Sequence, residues 1–365
     1  MSDRPHHPSL DGLRCLAILP VVWHHATPHP LDGVLGRGPL GVDLFFAVSG
    51  FLITSLLLHE RRRTGRVALG RFWTRRSLRI FPLYYFVLGG FTLHALFLRA
   101  PGPARDHFLA SLPYYATYTS NWFVHGAVGH PIVFAFAWSL AAEEQFYLVW
   151  PIVLRWLRGN VAPALVMLAL VVLDQTAERG WLAPFLDEGL ALRTMRSFAT
   201  PIGLGALLAL ATSSPPLEPM VRGVLGRRWS SAIALLFVLV AAVLPWPVLP
   251  TQVALTALVG ACAMRRDHLL APLLENRAVR HVGTVSYGVY LLNIPVVSAC
   301  RRVIGDEPML LLFIVSAATS IAFATATHRW VERPFLVLRD RFRTPDATPP
   351  PAAAPPDPPA LREAA

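Results

Sequence analysis

The chain has 365 residues, of which 54% are hydrophobic and 15% charged, with a mean hydropathy of +0.47. A soluble domain carries nearer ~25% charge, so a water-soluble globular fold is excluded. The net charge of +11 comes from arginine alone, and the arginines cluster in particular loops, which excludes a nucleic-acid-binding face and points to membrane topology.

Ten apolar segments recur along the chain, at about 10–27, 40–59, 79–98, 134–157, 161–175, 189–211, 230–249, 251–265, 282–300 and 308–331. Lipid cannot satisfy backbone polar groups, and long, non-alternating runs satisfy them as helices rather than barrel strands. The expected fold is all-α: a polytopic membrane protein of about ten transmembrane helices with both termini cytoplasmic. Residues 1–343 read as one transmembrane domain and residues 344–365 as a disordered, Pro/Ala-rich cytoplasmic tail. No internal repeat and no appended soluble domain is visible.

The first segment is retained rather than cleaved, because Cys15–Trp23 is followed by His24-His25-Ala26-Thr27-Pro28, a poor cleavage site. It carries Arg14 and His25, and ionisable residues inside a span are costly and usually functional. Eleven residues turn through about 1100°, so both side chains share one helix face, about 16 Å apart along the axis. One offers a permanent cation and the other a titratable imidazole. His24 points about 100° away.

The helix direction follows from the arginines. Loop 60–78 carries Arg61, Arg62, Arg63, Arg66, Arg71, Arg75 and Arg76, with Arg79 at its edge. Loops 212–229 and 266–281 and the segment after 331 are also arginine-rich, which assigns all of them to the cytoplasm. Arg301 and Arg302 go against this trend. Asp43, opening the second span, falls near the level of His25, where a carboxylate would fix the imidazole tautomer; the simpler alternative is a helix cap. Arg71, Arg75 and Arg79 form an i, i+4, i+8 stripe with Arg76 beside it. Such a surface holds a polyphosphate, or alternatively anionic lipid.

The aromatic stretch 108–124 reads as interfacial or re-entrant. The fourth span holds Trp138, Ser139, Glu143, Glu144 and Tyr147. Glu143 shares a face with Ser139 and Tyr147, while Glu144 points elsewhere. Glu143 can neutralise Arg14, orient an acceptor hydroxyl or pass on a proton; a structural ion pair is the plainer alternative. In the ninth span Tyr287, Tyr290 and Asn293 recur every third residue, giving one polar face suited to a helix–helix seam. Cys15, Cys262 and Cys300 are far apart, without a CxxC pair, and the histidines lack a ligand spacing, so no metal site is expected. Hydrolase-elbow and nucleotide-loop motifs are absent.

Together these motifs resemble the acyltransferase-3 family of bacterial membrane acyltransferases. The resemblance rests on Leu10-Asp11-Gly12-Leu13-Arg14 with His25, Gly41 to Ile53, Arg75 to Ile80, Trp138 to Tyr147, Ser286 to Pro295 and Glu332-Arg333-Pro334-Phe335. It spans residues 9 to about 340. Many members carry histidine where this chain has Asn293, which puts a proton-transfer or acceptor-contact role there in question. The resemblance implies transfer of an acyl group, acetyl first, from acyl-CoA to a hydroxyl of a carbohydrate or glycosylated acceptor, in the inner cell membrane. It implies His25 as the catalytic group supported by Asp43 and Glu143. Arg14, Arg75, Arg76 and Arg79 would bind the donor, and Trp138, Ser139, Tyr147, Tyr290 and Asn293 would shape the acceptor site. Acyl-CoA (acetyl-CoA first) is a co-substrate, with no permanently bound cofactor. The alternative from another class is a transporter of a glycan or lipid-linked precursor, its intramembrane charges lining a pathway.

Overall fold

The computed structural model describes residues 7–27, 39–124, 134, 136–182, 184–185, 189–244, 247–306 and 308–342. The tail 344–365 and loop positions such as His29 and Arg37 lie outside them. Among the described residues every regular element is helical. The order is α1 (Pro8–Ala26), α2 (Pro39–Thr64) and α3 (Leu69–Leu93), which runs into a π-helical turn at His94–Leu98. Three short helices follow, α4 (Pro103–Ala110), α5 (Leu112–Ala116) and α6 (Ser120–Phe123). Next come α7 (Ala137–Trp156), α8 (Val161–Glu178), α9 (Leu190–Arg196), α10 (Thr200–Thr212), α11 (Glu218–Leu225) and α12 (Ser230–Val243). The chain continues with α13 (Val248–Met264), α14 (Ala271–Leu274), α15 (Arg277–Ile304), α16 (Met309–Thr327), a second π-turn at His328–Glu332 and α17 (Arg333–Asp340).

Five of these helices, taking α3 and α16 with their extensions, are long and apolar enough to cross a membrane, and up to seven if α9/α10 and α11/α12 each form one bent span. The other expected spans fall short for physical reasons. α1 and α7 have 19 and 20 residues but are interrupted by Asp11 and Arg14, and by Glu143, Glu144 and Arg155. α13 has 17 residues. The segment expected as one span over 189–211 is instead two helices bent by 51°. Pro201, at the start of α10, lacks the N–H that would continue α9. The aromatic stretch 108–124 breaks into pieces too short to span, docked where Tyr84 and Tyr85 donate to the carbonyls of Tyr115 and Ala116, each at 2.8 Å.

α1 is central, packed against α2, α15 and α16, while α2 packs closely on α10. Two glycines permit these approaches. A Cβ on Gly283 of α15 would collide with the carbonyl oxygen of Asp11, and one on Gly205 of α10 with that of Ala47. Small residues at such crossings let backbones meet where lipid supplies no hydrophobic drive.

The arginine-rich loops gather at one end. Arg61 donates to the carbonyls of Leu154, Leu157 and Gly159, and Asn160 donates to that of Ser213. Leu269 N bonds Arg228 O at 3.0 Å, joining the loops before α12 and after α13. Ser9, opening α1, bonds Glu275 and His268 there at 2.7 and 3.0 Å.

Candidate active site

The polar face of α15 builds the site. Tyr287, Tyr290 and Asn293 advance about 300° per step, so they form a slowly winding stripe. Each meets a different helix. Tyr287 Oη donates to Ile80 O of α3 at 3.1 Å. Tyr290 Oη lies 2.6 Å from Ser139 Oγ of α7. Asn293, wholly buried, meets His25 of α1 through its Oδ1 and the ring Nδ1. The stripe is thus the seam expected from sequence, and it also ties Asn293 to the one imidazole expected to do chemistry.

Beside the stripe lies a cleft lined by side chains of α1, α2, α3, α7 and α15. Arg14, Arg76 and Arg79 face Glu143 and Glu332 across it, with Tyr147, Ser139 and Tyr290 in its walls. The guanidinium of Arg76 sits 5.0 Å from the centre of the Tyr147 ring, a cation–π contact. Tyr147 in turn donates its hydroxyl to Glu143. Arg14 pairs with Asp11 at 3.4 Å, within its own helix. Three guanidinium groups against two carboxylates leave the cleft net cationic, which suits an anionic ligand.

His25 is outside the cleft lining. It sits further along α1, with Tyr290, a wall residue, one turn before Asn293 on α15. Its backbone is also anchored: Arg301 Nη2 donates to the carbonyls of His25 and Ala26 at 3.1 and 3.2 Å. These are terminal α1 carbonyls that have no partner within the helix. Arg301 is itself held by Asp306 at 2.8 Å. The arginine that broke the topological trend is therefore the C-terminal cap of the helix bearing His25.

Three sequence expectations, for Asp43, Arg75 and Trp138, are corrected here. Asp43 does not pair with His25; its Oδ2 accepts from Gln252 Nε2 of α13 at 3.3 Å, and the imidazole partner is an amide instead. Glu143, for which the sequence leaves three roles open, accepts from Tyr147 on the face they share, and Arg14 pairs with Asp11. Arg75 turns from the cleft toward Glu60, at 3.5 Å, and the carbonyl of Phe342; as neighbours on one helix Arg75 and Arg76 point about 100° apart, and only Arg76 lines the cleft with Arg79. Trp138 is 49% exposed and packs on Phe46 instead of lining the cleft. Conversely, Glu332 enters the cleft from the π-turn after α16, buried, with Oε2 3.5 Å from His328 Nδ1 and Oε1 without a hydrogen-bond partner. Its signal in the sequence was a carboxylate closing an apolar run. Glu144 stays out of the cleft lining, as its direction on α7 required. Among the described residues no group of three His, Cys, Asp or Glu side chains stands together as a metal site.

The family model described as an acyltransferase domain matches residues 7–329, a stretch containing every cleft residue named above except Glu332. The chain belongs to the acyltransferase-3 family. Relatives of this acyltransferase domain carry related names. One is the peptidoglycan O-acetyltransferase OatA of Listeria monocytogenes serovar 1/2a, 27% identical over 356 residues, covering 91% of this chain and 56% of the relative. Another is a putative O-acetyltransferase of Staphylococcus aureus strain COL, 28% identical over 357 residues, covering 90% of this chain and 57% of the relative. The O-acetyltransferase OatA of Staphylococcus aureus strain NCTC 8325 is 28% identical over 353 residues, with the same coverage of 90% and 57%. The chain thus spans little more than half the length of these relatives. No solved structure is significantly similar to it.

Proposed function

We propose that this acyltransferase-family chain is a multi-pass O-acyltransferase of the inner cell membrane, moving an acetyl group from acetyl-CoA to a hydroxyl of a carbohydrate acceptor. The observation that carries this reading is the net-cationic cleft among the helices, joined along α1 and α15 to a held imidazole. In this reading both termini are cytoplasmic, the ten-span count holds with the polar helices α1 and α7 as spans, and the arginine-rich end faces the cytosolic donor. Arg14, Arg76 and Arg79 hold the anionic part of acyl-CoA with charge-assisted hydrogen bonds. The thioester then extends along α1 toward His25. His25 removes the proton from the acceptor hydroxyl as it attacks the thioester carbonyl, and the thiolate of CoA leaves and is protonated. Glu143, hydrogen-bonded to Tyr147, keeps the face under Arg76 ordered. Ser139 and Tyr290 offer hydroxyls to a sugar.

The sugar acceptor is supported by the Listeria relative, which is named a peptidoglycan O-acetyltransferase. Nothing in the relatives' names favours a transporter. The test is mass spectrometry of membranes containing the chain, supplied with several acyl-CoAs and a panel of glycosides. A gain of one acetyl mass on one acceptor is expected, absent in His25→Ala. In Arg76→Ala the KM for acetyl-CoA should rise tenfold or more, a loss of about 1.4 kcal/mol of donor binding. Full transfer by His25→Ala would end this assignment of the site.

A further inference from the structure

Asn293 is the last residue of the polar stripe on α15 and is buried. Its amide nitrogen donates to two carbonyls of its own helix, Val289 O at 3.2 Å and Tyr290 O at 2.6 Å. Carbonyls only accept, so the NH2 end of the amide must face them, and the amide oxygen is left facing His25 Nδ1. An amide oxygen also only accepts. The hydrogen on that contact must therefore sit on the imidazole. The side chain is fully buried, and its orientation is fixed by the α15 backbone rather than by solvent.

We propose that Asn293 is a positioning residue that holds neutral His25 in the Nδ1–H tautomer, leaving the Nε2 lone pair as the reactive nitrogen. The inference rests on the reading of His25 as the transfer group, and it adds which nitrogen acts and what selects it. Which ring nitrogen carries the proton is set by the hydrogen bond the other ring atom makes. Arg301, by pinning the His25 carbonyl, keeps the ring at the depth of Asn293. Asp43, the carboxylate expected to do this work, is bonded to Gln252 instead. With an amide partner the ring is oriented without a second buried charge beside it.

The experiment is 15N solid-state NMR of histidine-labelled full-length chain in lipid bilayers at neutral pH, with His25→Ala identifying the His25 signals by difference. The expected result is protonation at Nδ1 in the unaltered chain and a mixture of tautomers in Asn293→Leu. A His25 protonated at Nε2 in the unaltered chain, or an Asn293→Leu spectrum identical to it, overturns the proposal. In the transfer assay Asn293→Leu should lower kcat about 10²- to 10⁴-fold, the range for losing an oriented base, with KM for acetyl-CoA within about twofold. Asn293→Asp, whose carboxylate also only accepts, should recover most of that loss. A fall in both variants to the same level overturns the proposal. If Asn293→Leu fails to fold, the spectrum of the unaltered chain and the Asn293→Asp kinetics still decide. Retained activity in His25→Ala would instead sink the transfer reading and leave the tautomer measurement standing on its own.

Discussion

Removing Arg301 should uncouple the end of α1 from α15. In Arg301→Ala the carbonyls of His25 and Ala26 lose donors at 3.1 and 3.2 Å, and Asp306 loses its partner. Hydrogen bonds from a charged donor contribute about 1.5–3 kcal/mol each when buried, and a cation at a helix C-terminus about 0.3–1 kcal/mol. The Arg301 side chain is 35% exposed, so solvent takes over part of this, and a total near 2 kcal/mol is expected. The loss is local to the turn that carries His25. Thermal unfolding in detergent should therefore shift modestly, while kcat of acetyl transfer falls tenfold or more and KM for acetyl-CoA holds. Arg301→Lys should recover only part of this, because one ammonium cannot span two carbonyls as a planar guanidinium does. Arg302→Ala, which removes an exposed neighbour of equal charge, is the control. Indistinguishable kinetics for Arg301→Ala and Arg302→Ala would refute the reasoning, since the effect would then be general charge and not a cap.

Two further tests concern the frame. Gly283→Ala drives a methyl into the Asp11 carbonyl, and forcing α15 off α1 should cost about 1–3 kcal/mol and depress kcat as well, read by thermal unfolding and the transfer assay. Unchanged stability would mean that the helices separate freely there. At the arginine-rich end, burial pushes His268, in the loop after α13, below its ordinary value, while it bonds Ser9. The unfolded chain takes up this proton first, near pH 6.5, so stability should fall as pH drops through the window between about 6.5 and the lowered folded value, and be flat above it. His268→Gln, which keeps a donor but cannot titrate, should flatten the melting temperature between pH 7.5 and 5.5. Equal slopes for both proteins would remove His268 as the cause.

Much of this molecule was written in one dimension. Composition excluded a soluble fold, and the bilayer's demand for internal hydrogen bonding left helices as the spans. Helical period alone put Arg14 with His25, separated Glu143 from Glu144, and lined up Tyr287, Tyr290 and Asn293, because spacing along one helix fixes direction about its axis. Spacing says nothing about which other helix lies across from a face. Level along the bilayer alone pairs Asp43 with His25, whereas close packing turns it to Gln252 of α13. Sequence position alone likewise groups Arg75 with Arg76 and Arg79, yet its side chain reaches Glu60. Partners separated by more than two hundred residues, Asn293 for His25 and Arg301 for the end of α1, required the tertiary structure. The sequence determined that an imidazole and a cation share one helix in a membrane domain. Only the packing of α15 on α1, through contacts that glycine allows, decided that an amide rather than a carboxylate holds that imidazole.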